Sequence, residues 1–320
     1  MIRFGILGTA SIARALFDHP LEKVQITAIA SRDKRRANEF GDHFGIPKRF
    51  ATYESLLADR DIDAVYIPLP QHLHCEYVVK AAKARKHVLV EKPAALTVAE
   101  IRRMVSACKK NRVLFMEGFM YRFMRVHNRA KEIVSAGTIG KLKYVDFNWC
   151  FNIHQLRRSA FRLDKKSGGG ALYDLGIYGA DFLRYVTGGK PHLLHAYIHR
   201  ERRGGVDMFA HAAYKIGGVF GTSTCGFNTD ANYYALTGEY GSLYVAGSLS
   251  GRSTERVIQV HLLGNDKRYE ERFPPENPYV KELEYFAGCI EQGEKPFLDG
   301  ENSLQNLRLI KEIFERANPI

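Results

Sequence analysis

The chain has 320 residues, 45% hydrophobic and 26% charged, a formal net charge of +12 and five cysteines. That length leaves room for two hydrophobic cores, and the composition excludes a disordered or low-complexity chain. No apolar run approaches the ~20 residues of a membrane span, and a strand pattern that begins at Ile2 is expected to leave no room for a leader.

The first 120 residues or so alternate short β-branched runs with helical patterns, the signature of βαβ units on a parallel sheet. Strands are expected at 3–7, 25–30, 64–67, 88–90 and 113–117, and helices at 11–17, 35–44, 73–84 and 98–110. After Tyr121 the pattern changes. Residues 143–151 alternate with period two, as do stretches near 193–199, 206–215, 218–224, 232–237, 241–246 and 256–263. Turns rather than helices separate them, as in a largely antiparallel sheet. Two amphipathic helices are expected near 279–292 and 303–317. The expected fold class is therefore α/β, with a dinucleotide-binding domain over 1–121 and an α+β domain over 122–320.

The cysteines, Cys75, Cys108, Cys150, Cys225 and Cys289, are scattered and form no C-x-x-C pair. They argue against disulfides and structural zinc and for a reducing, cytoplasmic setting. His72 and His74 stand two apart, a poor spacing for a shared metal on a helix, so no metal is expected. The basic residues fall in short runs on different elements, interrupted by acids, and do not form one stripe. Neither a nucleic-acid nor a membrane partner is expected.

The turn Gly5-Ile-Leu-Gly8-Thr-Ala10-Ser11-Ile12-Ala13 follows the first strand and opens the first helix, where a dinucleotide fingerprint stands. Gly8 is kept, while Ala10 and Ala13 replace the second and third glycines; a tight turn in any α/β protein is the alternative. The second strand ends Ala30-Ser31-Arg32. An acid at this place suits the ribose of NAD, and an arginine suits a 2′-phosphate. NADP(H) is therefore the expected cofactor, with NAD(H) the alternative; a helix-capping serine beside solvated cations is the bland explanation. The backbone of Tyr66-Ile-Pro-Leu69-Pro-Gln-His72-Leu-His74 is expected to line the cofactor cleft, one histidine capping or packing the next helix.

The run His87-Val-Leu-Val-Glu91-Lys92-Pro93 delivers a lysine at the carboxyl end of an apolar strand, where ligands bind in open α/β sheets. Later comes Gly168-Gly-Gly-Ala-Leu-Tyr-Asp174-Leu-Gly-Ile-Tyr178. If a helix starts near Gly170, Asp174 and Tyr178 share one face. Each has an ordinary structural alternative: an exposed lysine, a helix-start charge, a core tyrosine. In combination they are the parts of a proton-transfer site.

With GILGTASIAR (5–14), AIASRD (28–33), YIPLPQHLH (66–74), KHVLVEKP (86–93), MEGFMYRF (116–123), GTIGKL (137–142) and GGGALYDLGIY (168–178), the chain resembles the glucose–fructose oxidoreductase / inositol dehydrogenase / MocA family over essentially its whole length. The resemblance implies a Rossmann domain followed by an open-faced, predominantly antiparallel sheet that binds substrate and builds a homodimer or homotetramer. It makes Lys92, whose bond to Pro93 is commonly cis in relatives, a contact to nicotinamide and substrate. Tyr178 takes the place of a histidine found in many members, the tyrosine version seen in sugar oxidoreductases and dihydrodiol dehydrogenases. It becomes the proton donor or acceptor, and Asp174 a ligand of the substrate hydroxyl. Arg162 matches an arginine that lines the nicotinamide or substrate pocket.

The implied cofactor contacts are Gly8, Ala10, Ser11, Ile12, Ser31, Arg32, Leu69, His74, Glu91, Lys92 and Arg162. Substrate choice falls to Phe151, His154, Arg157, Arg162 and Asp174. The departures from the family pattern are Gln71 for asparagine, Arg85 for glycine and Ala10 for glycine. The activity implied is hydride transfer between NADP and a carbinol or carbonyl carbon of a carbohydrate-like small molecule. The alternative is a cofactor-sensing regulator without catalysis, which has no need to keep Lys92, Asp174 and Tyr178 together.

Overall fold

The change of hydrophobic period at Tyr121 becomes a change of sheet. The computed structural model describes residues 1–155, 160–247, 249 and 252–319, which leaves Arg157 outside the described residues. The chain forms two compact units, one of residues 1–120 with 277–305, the other of 121–276 with 306–320. The division expected from sequence, 1–121 and 122–320, takes the chain as linear; the return of 277–305 to the first unit has no local signature.

In the first unit, β1 (Ile2–Leu7), a 3₁₀ helix (Ser11–Phe17), β2 (Val24–Ala30), α1 (Lys34–Phe44), β3 (Lys48–Phe50), α2 (Tyr53–Ala58), β4 (Ala64–Ile67), α3 (Gln71–Lys83), β5 (His87–Glu91), α4 (Val98–Asn111) and β6 (Phe115–Gly118) succeed one another. The six strands are parallel in the order β3-β2-β1-β4-β5-β6. This doubly wound order reverses direction between β1 and β4, where a crevice opens at the strand ends. Strands β4 and β6 are buried at every position, as a sheet covered on both faces requires. Helix α4 starts at a full capping box, Thr97 with Glu100. β3 and α2 were not expected: a three-residue edge strand and a six-residue helix are too short to show a period.

The second unit contains α5 (Arg125–Ser135), β7 (Leu142–Cys150), α6 (Ile177–Thr187), β8 (His192–His199), β9 (Phe209–Ile216), β10 (Val219–Gly226), β11 (Ala231–Gly238), β12 (Gly241–Ala246), β13 (Arg256–Leu262) and β14 (Lys267–Phe273). Helix α7 (Pro278–Gln292) belongs to the first unit, α8 (Gly300–Arg316) carries the chain back, and β15 (Asn318–Pro319) closes it. The nine-stranded sheet runs β14-β13-β12-β11-β7-β10-β9-β8-β15, antiparallel except at β7–β10 and β8–β15. Helix α6 lies on one face, so close at Gly179 that a Cβ there would stand 3.0 Å from Ser223 Cβ. The other face is open and holds Tyr144, Phe220 and Tyr244, each at least 37% exposed, with Tyr144 Oη 2.8 Å from Thr222 Oγ1. β14 alternates exposed lysine, arginine and glutamate with half-buried positions, so its charge hid it from a search for apolar alternation.

Candidate active site

In the first unit the sequence-singled residues gather at the strand ends. Gly8 has φ +105°, and a Cβ there would meet Leu69 Cδ2 at 2.9 Å and Tyr53 Oη at 3.8 Å. Its N–H donates to the Ala30 carbonyl at 2.8 Å, tying the turn after β1 to the end of β2. Ala10 has φ −63° and ψ 146°, ordinary for alanine, so the missing second glycine costs no strain. A 3₁₀ helix comes next, with Ser11 exposed, Ile12 half-buried and Ala13 buried against the sheet; no side chain caps its first N–H groups.

At the end of β2, Ser31 is buried and its Oγ accepts from the Asp33 N–H at 3.2 Å, while Asp33, not Ser31, caps α1. Arg32 is exposed, and its charge acts on the Tyr53 phenol. Burial pushes the Tyr53 phenol up, and Arg32 works against that shift.

His74 is fully buried, with Nε2 2.7 Å from the Leu69 carbonyl and Nδ1 3.0 Å from the Pro93 carbonyl. Burial, opposed by those carbonyls, lowers its pKa to about 4, so at neutral pH the ring has one N–H to give. It packs the next helix, as expected of one of the two histidines, and it also couples the loop after β4 to the turn after β5.

In that turn the Lys92–Pro93 peptide is cis. The Lys92 N–H donates to Glu91 Oε2 at 3.3 Å, and the Ala94 N–H donates to Glu117 Oε1 at 2.8 Å. The Tyr66 hydroxyl donates to Glu91 Oε1 at 2.6 Å. Lys92 itself is half-buried. Sequence reasoning passed over Glu117 and Glu282 here. Glu282, on α7, is 1% exposed; burial first and the Glu91 charge second push its carboxyl well above the usual range. It lies beside Gly118, where a Cβ would stand 3.5 Å from Glu282 Oε2, an ordinary contact. An acid inside the apolar stripe of α7 was the available signal.

In the second unit, a 3₁₀ turn (Ala160–Leu163) carries Arg162, whose Nε meets Asp174 Oδ2 at 2.6 Å. The guanidinium lies 4.6 Å from the Phe161 ring centroid and 5.7 Å from that of Phe151. Two of the three glycines have a steric reason. A Cβ on Gly169 would stand 2.3 Å from the Arg162 carbonyl oxygen, and one on Gly170, at φ +119°, would stand 2.1 Å from Asp207 Oδ1. Asp207 is buried and accepts from the Leu172 N–H at 2.6 Å; burial pushes its pKa up to about 6.

That bond starts a π-helical turn (Leu172–Gly176), not the expected α-helix, and α6 continues from it. Asp174 sits in the π turn, 6% exposed, and Tyr178 in the first turn of α6, 3% exposed. The Tyr178 ring packs at 4.2 Å on Trp149 and at 6.0 Å, edge-on, against Tyr121. Arg162, Asp174 and Phe151 therefore come together. His154 is exposed, and among the described residues nothing ties its ring to them.

Comparison with known proteins then fixes the lineage. Residues 2–119 match the GFO_IDH_MocA description, an oxidoreductase family with an NAD-binding Rossmann fold, and residues 127–248 match the GFO/IDH/MocA C-terminal domain. The chain belongs to the GFO/IDH/MocA family.

It is 34% identical over 318 residues to D-xylose 1-dehydrogenase (NADP(+)) 2 of Haloferax volcanii, covering 98% of this chain and 97% of that protein. It is 32% identical over 336 residues to trans-1,2-dihydrobenzene-1,2-diol dehydrogenase of Mus musculus, covering 99% and 96%. A 3-ketoreductase from Actinomadura kijaniata, crystallised with NADP and TDP-benzene, superposes with a TM-score of 0.90 at 28% identity over 100% of this chain and 98% of that one. All three are named as catalysts, and none as a regulator. Of the departures from the family pattern, Arg85 has φ +59°, the left-handed region that glycine adopts freely.

Proposed function

We propose that this protein is an NADP-dependent oxidoreductase acting on a CH–OH or carbonyl carbon of a sugar, polyol or related diol. The observation that carries the reading is the placement of Tyr178, a phenol shielded by Trp149 and Tyr121, one turn after an aspartate held by an arginine. The first unit fits the cofactor. Gly8 leaves a hollow that a Cβ would fill, and Gln71 Oε1, buried at the start of α3, has no hydrogen-bond partner among the described residues. Gly8, Ala10, Ser11 and Ile12 would hold the pyrophosphate, Ser31 and Arg32 the 2′-phosphate, and Leu69, Glu91 and Arg162 the nicotinamide side.

When bound, NADP(H) takes or supplies the hydride. Tyr178 gives its proton to the substrate oxygen in reduction and takes it back in oxidation. Lys92 stabilises the phenolate that Tyr178 becomes, which lowers the cost of that transfer. His74 and Glu117 fix the backbone around Lys92. Asp174 accepts from a substrate hydroxyl, and the Arg162 contact at 2.6 Å holds the carboxylate in place. Phe151 and His154 border the substrate. In this proposal the open sheet face, with Tyr144, Phe220 and Tyr244, takes a second copy of the chain. The five cysteines, all free and buried, suit a reducing cytoplasm.

The test is nicotinamide absorbance with NADP(H) and NAD(H) against D-xylose, other aldoses, polyols, keto-sugars and diols. Turnover with an NADP preference is expected. Lys92→Met and Tyr178→Phe should each lower kcat by roughly 10²–10⁴-fold with NADPH affinity nearly unchanged; full activity in either variant would end the assignment.

A further inference from the structure

Tyr178 is given its setting by residues that take no part in the proton transfer proposed above. Asp181, three residues further along α6, is fully buried. Its carboxylate accepts from the Tyr121 hydroxyl, from Arg122 Nη1 at 2.9 Å and from Asn306 Nδ2 at 3.1 Å. Arg122 lies 4.0 Å over the Tyr185 ring, and the Tyr185 hydroxyl donates to Asn128 Oδ1 at 2.5 Å. A buried carboxylate with one cation and two neutral donors is satisfied, yet such a cluster adds little net stability over an apolar packing of the same shape. What it supplies is a fixed geometry.

The part of that geometry nearest the chemistry is the Tyr121 ring. Burial first, and the Asp181 charge second, push the Tyr121 phenol well above its ordinary value, so it remains a neutral donor committed to Asp181. Its ring meets Tyr178 in an edge-type contact at 6.0 Å, and the Trp149 ring packs on Tyr178 at 4.2 Å. The glycine after Tyr178 sets the height of α6 on the sheet: a Cβ on Gly179 would stand 3.2 Å from Phe147 Cδ1. The tyrosine ring thus packs against two aromatic rings, and one of those is pinned through its own hydroxyl.

We propose that Asp181 and Tyr121 are positioning residues for Tyr178: Asp181 anchors Tyr121, and Tyr121 with Trp149 restricts the Tyr178 ring to the orientation in which its hydroxyl exchanges the proton. This rests on Tyr178 being the proton-exchanging group. Tyr121→Phe removes the anchor while keeping the ring; Asp181→Asn keeps an acceptor for Tyr121 but weakens the hold on Arg122.

The experiment compares Tyr121→Phe and Asp181→Asn in the native chain and in the Tyr178→Phe background, with D-xylose and NADP⁺ or the fastest substrate of the panel. In the native chain Tyr121→Phe should lower kcat roughly 10-fold, with NADPH affinity and Tm little changed and Asp181→Asn falling between. In the Tyr178→Phe background the same change should cost less than about twofold, because coupled residues are not additive. Trp149 is the chain's single tryptophan, so its fluorescence lifetimes read the Tyr178 contact without any substrate. They should broaden in Tyr121→Phe. Equal costs in both backgrounds, or unchanged kcat and lifetimes, would overturn the proposal. Loss in Tyr178→Phe with none in Tyr121→Phe would overturn it alone, whereas native turnover in Tyr178→Phe would remove the reading beneath it as well.

Discussion

The turn at Lys92 and the turn before Asp174 are both tightly held, by opposite means. In the first, side chains reach out to backbone: His74 to the Pro93 carbonyl, Glu117 to the Ala94 N–H, Glu91 to the Lys92 N–H. In the second, backbone is pressed where no side chain fits: Gly169 against the Arg162 carbonyl and Gly170 against the Asp207 carboxylate. The first arrangement tolerates change in the turn but needs its remote acids and histidine. The second tolerates nothing at its glycines. Conservative changes should therefore damage the two turns unequally.

Gly170→Ala should do the most harm, because the new Cβ meets a buried carboxylate at 2.1 Å in a left-handed conformation. A loss of roughly 3–5 kcal/mol in denaturant unfolding is expected. Gly8→Ala shares the positive φ but meets only the end of the Leu69 side chain, so about 1–3 kcal/mol is expected. Equal losses would break the contrast between a yielding neighbour and a rigid one.

The same two turns should answer acid in opposite directions. His74, lowered to about 4 in the folded chain, contributes stability above its unfolded pKa of ~6.5 that is lost as pH falls toward 4. Asp207, raised to about 6, contributes stability that is fully present below its unfolded pKa of ~3.9 and is lost as pH rises through 6. Each swing is about 3 kcal/mol at most. Stability measured from pH 4 to 7 should fall less on acidification in His74→Gln than in the native chain. In Asp207→Asn it should fall more on acidification than in the native chain, because the opposing gain is gone. Parallel pH curves for the native chain and both variants would contradict this.

Arg32→Ala should weaken NADPH binding roughly 10–100-fold while leaving NADH within about twofold, the loss of a charge-assisted contact to one phosphate. A proportionate loss of both cofactors would place Arg32 elsewhere. The smallest effects belong to the family departures. Arg85→Gly should gain about 0.5–1 kcal/mol by relieving φ +59°, whereas Ala10→Gly, at φ −63°, should lose a similar amount and improve NADPH affinity little. Thermal melts with titrations of NADPH separate the two.

Much of the candidate site was legible because its signals are local. Gly8 follows a strand and opens a helix; Lys92 ends an apolar strand before a proline; Arg162 stands a few residues before Gly168–Gly170. Short or charged elements were not legible: β3 and α2 lack length for a period, and β14 hides behind alternating charges. The π turn at Leu172–Gly176 was read as α-helix because the two differ by a backbone hydrogen-bond shift that no residue pattern announces.

By itself, the sequence determined the two kinds of sheet and the family, and it singled out the residues proposed to carry the chemistry, because periodicity and turn residues act over a few positions along the chain. Tertiary structure alone decided that residues 277–305 fold with the first unit, that Glu282 is buried where the Glu91 charge raises its pKa, that Asp207 lies against Gly170, and that Asp181 anchors Tyr121. The last three join positions about 35 to 190 apart in the chain, and the first joins positions farther apart still. The protonation of a buried acid and the fit of a glycine are set by whatever packing brings beside them.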